Sequence, residues 1–278
     1  MDTPTQSPTH QYREEGYYLA SGIYTPADIE RIRELITAHE ANGGWLAAPN
    51  SNDHLTTDIY ERIPGLAELV FNDNYLRIVA ELFAPDPIIL AEPAIHKSRY
   101  YYWHKDSTFI DEQAEDYHWK DDFAAAMTVL YLQDNHPEYG GGITLVPGTH
   151  REPDFYHRIP QMTILERGVL KAKKLAGVSH FDRMDRHPEL RPIPSQAGDV
   201  LILDMRLDHK GTPAKKASPR PKYGIMNIAC RGEATAEALR ATLRRRPSAY
   251  YNDYLAGQPL QTPALARISG REGVRIWL

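Results

Sequence analysis

Cysteine is almost absent: Cys230 is the single one in 278 residues. An internal disulfide is therefore excluded, and so is a zinc or iron–sulfur centre built from thiolates. Long apolar runs are also missing, none approaching the roughly 18 residues that a membrane helix requires. The opening "MDTPTQSPTHQYREEGYY" lacks the apolar stretch of a secretory leader, so a cytoplasmic protein is expected. Neither sign of charge prevails: 32 Lys and Arg stand against 37 Asp and Glu, a net of −5. Neither nucleic acid nor membrane is expected as a partner. No internal repeat or low-complexity linker interrupts the chain, so residues 1–278 read as one domain.

What is present begins with helix signals. Thr25 as N-cap, Pro26 behind it, Ile29, Ile32 and Ile36 on one face and a glycine stop predict a helix after a short strand, 17–23. "GLAELVFNDNYLRIVAELFAPDP" predicts two more helical pieces, ended by Pro85 and Pro87. The texture then changes to short apolar runs between Gly/Pro turns: "IILAEPAIHKSRYYYW", "AAAMTVLYLQD", "GITLVPGTH", "DVLILDMRL" and "YGIMNIACR". Such runs predict a mainly β sandwich or double-sheet barrel with flanking helices. Between them, about 151–192 reads as a lid-like insertion, partly helical. A last helix is expected in "ATAEALRATLRRR".

The stretch "RYYYWHKDSTF", residues 99–109, sets His104 and Asp106 two apart behind four aromatic side chains. In an extended segment residues i and i+2 face one side, so both can meet one centre, with Tyr102 on the same face as a substrate-lining residue. Taken alone, the pair reads more readily as a polar turn that binds nothing. A third ligand is offered by His209, where "GDVLILDMRLDHKG" runs out of an apolar strand. Two imidazoles and a carboxylate form the facial triad of non-haem Fe(II) oxygenases, which leaves three positions open. A redox metal with vacant sites is what sluggish dioxygen requires. A chelating 2-oxo acid would need a cation for its far carboxylate, preferably a planar one. Arg220, eleven residues after His209, stands at the entrance to "KYGIMNIACR".

These segments resemble the phytanoyl-CoA dioxygenase-like family of Fe(II)/2-oxoglutarate-dependent dioxygenases. "WHKD" matches its His-x-Asp, "GGGITLVPGTH" its Gly-rich turn and PGSH signature, and "GDVLILDMRLDHKG" its distal-histidine strand. "REEGYYLASGIYTPADIERIRELI" resembles its entry strand and helix, and the likeness covers most of residues 12–230. The resemblance implies a double-stranded β-helix (jelly-roll, cupin-like) fold, Fe(II) on the catalytic residues His104, Asp106 and His209, and 2-oxoglutarate and O2 as cosubstrates. It implies Arg220 against 2-oxoglutarate, with Lys97 and Ser218 as further contacts. "SPRP" departs from the commoner pattern around the arginine and makes Lys222 the fallback cation. It also implies hydroxylation of an unactivated C–H bond with release of succinate and CO2; ring closure or desaturation starts from the same hydrogen abstraction. The Asp106 carboxylate disfavours halogenation.

His150 reads as a turn histidine bonded to backbone, and His157 as a substrate contact in the insertion. That insertion has nine Lys/Arg against six Asp/Glu, too few for the phosphates of an acyl-CoA. A small polar metabolite of a biosynthetic pathway is the expected substrate. Two rivals use the same residues: a zinc or manganese hydrolase or isomerase on a cupin-like barrel, and a non-catalytic ligand-binding relative. The oligomeric state is not legible in the sequence.

Overall fold

The strand Tyr17–Ala20 (β1) stops three residues earlier than its apolar run. Gly22 turns the chain with φ +67°, its N–H donating to Asp199 Oδ1 at 2.9 Å. Thr25 and Asp28 then close a reciprocal capping box on α2, Pro26–Ala41, whose Ile29, Ile32 and Ile36 are buried. The computed structural model describes residues 7–44, 46–47, 54–57, 59–97, 103–107, 123–136, 138–152, 162–175, 184–243 and 263–277.

Some of the remaining elements fall on the expected runs; others, among them Pro8–Glu15, His54–Thr57 and Arg275–Trp277, do not. A first helix, α1, spans Pro8–Glu15. Short strands Leu46–Ala47 (β2) and His54–Thr57 (β3) precede helices Ile59–Arg62 (α3), Leu66–Val70 (α4) and Asp73–Leu82 (α5). Asn72 separates the last two by accepting from Tyr75 N–H as N-cap. Then come β4 (Pro87–Lys97), β5 (Ala125–Tyr131), β6 (Ile143–Leu145), α6 (Ile164–Leu175), β7 (Arg191–Ile193), β8 (Val200–Asp204), β9 (His209–Gly211) and β10 (Tyr223–Arg231). Helices α7 (Glu233–Leu243) and α8 (Pro263–Ile268) and strand β11 (Arg275–Trp277) end the described chain. Among the described residues no helix is long and apolar enough to cross a membrane.

The large sheet has eight strands in the order β1-β8-β5-β10-β4-β3-β2, with β11 parallel on β4; the small one is β7-β6-β9. Alternation along each strand splits the large sheet into two faces. Ala126, Leu130, Val200, Ile202, Tyr223 and Ile225 turn to the helices, where Ile32, Ile36, Leu76 and Phe83 complete the main core. Val129, Tyr131, Leu201 and Leu203 turn the other way, onto Leu145 and Ile193 of the small sheet. The two sheets therefore face each other, as expected of a jelly-roll-like fold, although strand pairing among the described residues does not close them into a barrel.

Gly16 shows how tightly the entry is built. It ends α1 at φ +79°, and a Cβ there would lie 2.4 Å from His150 Nδ1 and 2.9 Å from Leu207 Cδ1. Gly16→Ala is therefore expected to lower stability by about 1–3 kcal/mol, read as a shifted denaturation midpoint, through backbone strain and overpacking together.

Candidate metal centre

The small sheet fixes His209. It starts β9 opposite Leu145 of β6 and so shares the face that looks between the sheets. The loop before it is held by the "PGTH" turn: Thr149 Oγ1 accepts from Asp208 N–H at 3.0 Å and donates to Val146 O at 2.8 Å. Val146 N–H in turn donates to Asp208 O at 3.1 Å. His104 arrives from a different stretch of chain and exchanges both backbone hydrogen bonds with His209, each 3.0 Å. This antiparallel bridge sets the two imidazoles side by side, ring centroids 4.3 Å apart. The chain turns immediately after it, so His104 and Asp106 lie on a bridge followed by a turn rather than along the regular strand expected.

The turn still brings the carboxylate to the imidazoles. His104 Nε2 lies 3.8 Å from Asp106 Oδ1, and His209 Nε2 lies 4.0 Å from Asp106 Oδ2. One ligand atom from each residue falls within 4.8 Å of the others, the one such cluster among the described residues. His209 Nδ1 lies 3.0 Å from Leu207 O, a carbonyl that can only accept. The proton therefore sits on Nδ1, and the Nε2 lone pair is left for a metal. Asp106 Oδ2 is buried with no hydrogen-bond donor. A buried carboxylate oxygen in that state is costly unless a cation meets it. The donor set thus fits a divalent ion, and two imidazoles with one carboxylate fit Fe(II). Burial pushes the Cys230 thiol up to about 12 and packs it with Ile88 and Leu90 in a separate core cluster, so it is no ligand.

The residues expected around 2-oxoglutarate are not gathered at the triad. Arg220 is exposed and makes a bidentate pair with Glu30 of α2, at 3.0 and 3.1 Å, so it does not reach the triad. Ser218 is half-buried in the same connection, outside the metal cluster. Lys97 stands opposite Tyr223 and pairs with Glu40 of α2, which places it on the helix side of the large sheet. Its neighbour His96, opposite Gly224, takes the inner face instead.

Lys222 is a cation on that inner face. It keeps the parity of Gly224 and Met226, and it is 9% exposed. Its stem lies across Gly141: a Cβ there would come within 2.5 Å of Lys222 Cδ, and Gly141 adopts φ +86°. Gly141 N–H donates to Thr212 O at 3.0 Å, one residue past the end of β9 and three past His209, about 10 Å along an extended chain. Burial holds the ammonium below the usual lysine range. Tyr131, buried on the same face, lies beside Gly224.

The expected substrate contacts Tyr102 and His157 lie outside the described residues. His150 is buried as a turn histidine, its Nε2 3.2 Å from Arg13 O, and burial lowers its pKa. The far end of the expected insertion touches both segments that carry the triad. Asp185 accepts from Trp103 Nε1 at 2.9 Å and pairs with Lys210, whose ammonium lies 5.0 Å from the Trp103 ring centre.

No curated protein sequence matches the chain. Solved structures do, at low identity. HygX from Streptomyces hygroscopicus, with nickel and 2-oxoglutarate bound, superposes with a TM-score of 0.59 at 17% identity, over 83% of this chain and 88% of that one. SnoK, a non-haem α-ketoglutarate-dependent carbocyclase from nogalamycin biosynthesis, gives 0.56 at 16%, over 82% and 84%. EvdMO1 gives 0.56 at 17% over 80% of this chain, which spans about half (49%) of that protein's length. These likenesses establish a shared fold. The family model for phytanoyl-CoA dioxygenase (PhyH) matches residues 12–221, and the chain belongs to that family.

Proposed function

We propose that the protein is an Fe(II)- and 2-oxoglutarate-dependent oxygenase that oxidises an unactivated C–H bond of a small polar metabolite. The observation that carries this reading is the His104, Asp106 and His209 cluster, with its orphaned Asp106 oxygen and the proton of His209 held on Nδ1. His104, Asp106 and His209 would hold the iron on one side and leave the other open to the keto acid and O2. Bound iron supplies the redox chemistry that couples oxidative decarboxylation of 2-oxoglutarate, to succinate and CO2, with oxidation of the substrate.

The chain's own contribution is placement and charge. Lys222 would receive the far carboxylate of 2-oxoglutarate in the cleft between the sheets, in the part expected of Arg220. A lysine serves there as a point charge rather than a planar fork, so a neighbouring donor such as the Tyr131 hydroxyl would help fix the carboxylate's orientation. The likeness to SnoK, a carbocyclase from nogalamycin biosynthesis, supports a metabolite of a biosynthetic pathway as substrate, with ring closure as well as hydroxylation within range.

The reading is tested by incubating iron-loaded protein aerobically with 2-oxoglutarate and assaying succinate. Succinate formed slowly without substrate, dependent on iron and stoichiometric with CO2, is the expected result. Metal-dependent hydrolysis of ester or amide probes without succinate would favour the hydrolase reading instead.

A further inference from the structure

Lys105 stands between two metal ligands in the sequence, yet the proposed function gives it no part. Its side chain is 3% exposed. The ammonium donates to Arg206 O at 2.5 Å and to Thr149 O at 2.6 Å, and lies 3.1 Å from Asp208 Oδ2. Three acceptors thus meet its three N–H groups. All of them belong to other segments of the chain: Arg206 and Asp208 to the loop that delivers His209, and Thr149 to the "PGTH" turn that holds that loop. Burying a full charge is expensive, and an apolar side chain of similar length could fill the same volume. The structure therefore needs a reason for a lysine here, and the identity of its partners supplies one.

We propose that Lys105 is a positioning residue for the metal centre, tying the segment of His104 and Asp106 to the loop of His209. The inference rests on the metal-centre reading given above. The backbone bridge between His104 and His209 fixes the two histidines to each other, and Ser107 N–H adds a contact to Met205 O at 2.8 Å. Asp106 lies between these points, on the turn. With Lys105 anchored on the opposite side of the backbone to three acceptors, the turn cannot rotate, and the Asp106 carboxylate stays aimed at both Nε2 atoms. Loss of the anchor would leave every ligand present and their mutual geometry loose.

The test is a titration of metal-free wild type, Lys105→Met and Lys105→Arg with Mn(II), followed by electron paramagnetic resonance, together with the visible spectra of the Co(II) forms. Lys105→Met is expected to fold, to bind Mn(II) about 10–100-fold more weakly, the usual effect of removing a group that orients ligands, and to change its Co(II) spectrum. Lys105→Arg, which keeps the charge and donors, is expected to recover part of the affinity. Lys105→Met with Mn(II) affinity within twofold of wild type and an unchanged Co(II) spectrum would overturn the proposal, even if its melting temperature fell. Should Lys105→Met fail to fold, Asp208→Asn decides, because it removes the ion partner and spares both carbonyl contacts. A several-fold loss of Mn(II) affinity then supports the proposal, and an affinity within twofold overturns it. Wild type that binds neither Mn(II) nor Co(II) would overturn the metal-centre reading itself, and this inference with it.

Discussion

Asp106→Ala is expected to abolish succinate formation and to weaken Mn(II) binding by at least about 100-fold, while the metal-free protein is no less stable than wild type. The two halves of this result have one cause. In the metal-free protein Asp106 Oδ2 is buried and has no donor, a state that costs about 1–3 kcal/mol. Removing the carboxylate relieves that penalty, and the small cavity left behind offsets part of the gain. With metal present the same oxygen would be a ligand, and losing it would remove the one anionic donor of the set, more than the 10–100-fold seen when only a supporting group is lost. A site kept for chemistry at the expense of stability should show this opposition. Thermal melts with and without Mn(II) measure both halves. A variant destabilised in the metal-free form with metal affinity intact would mean that Asp106 is a structural carboxylate.

The second large effect concerns Lys222. Lys222→Met is expected to weaken 2-oxoglutarate binding about 10–150-fold, the worth of a charge-assisted hydrogen bond of about 1.5–3 kcal/mol. Arg220→Ala, by contrast, is expected to stay within about twofold of wild type, because that guanidinium is spent on Glu30 at the surface. The pH dependence adds a sign. Burial lowers the Lys222 pKa, so the ammonium is lost, as pH rises, earlier than in an ordinary lysine. Affinity for the dicarboxylate should therefore decline on the alkaline side. Lys222→Arg, whose side chain keeps its charge beyond pH 12, should retain binding and remove that decline. Calorimetric titration with 2-oxoglutarate across pH on the Mn(II)-loaded protein measures all three variants. Loss of binding in Arg220→Ala with Lys222→Met unaffected would restore the assignment expected from the sequence.

The contrast between these two cations shows which parts of the site were legible in the sequence. The triad was legible because its signals are local: a His-x-Asp pair and a histidine just past an apolar strand, within motifs whose order matched a family. Helix α2 was legible for the same reason, its cap, proline and isoleucine spacing all lying within the element. Arg220 was chosen by counting residues from His209, and a count does not say which way a side chain turns. Tyr223 packs against the helices, so alternation in β10 sends Lys222 inward, whereas Arg220 remains in the exposed connection beyond Pro221. The same parity sets Lys97 on the helix side and His96 within. Alternation could not be read beforehand because the run is apolar on both faces: Ile225 faces the helices and Ile228 the other side. Lys105 left no signal either. Its role depends on three acceptors 44 to 103 positions away in the chain, brought near only by the pairing of the sheets.

The central claim is that His104, Asp106 and His209 bind iron so that 2-oxoglutarate can chelate it beside Lys222. It is tested most directly by anaerobic titration of the metal-free protein with Fe(II) and then 2-oxoglutarate, followed by visible absorption. The account predicts a metal-to-ligand charge-transfer band that appears only on adding 2-oxoglutarate and is missing in His209→Ala. Folded, iron-loaded wild type that gives no band at saturating 2-oxoglutarate would contradict it.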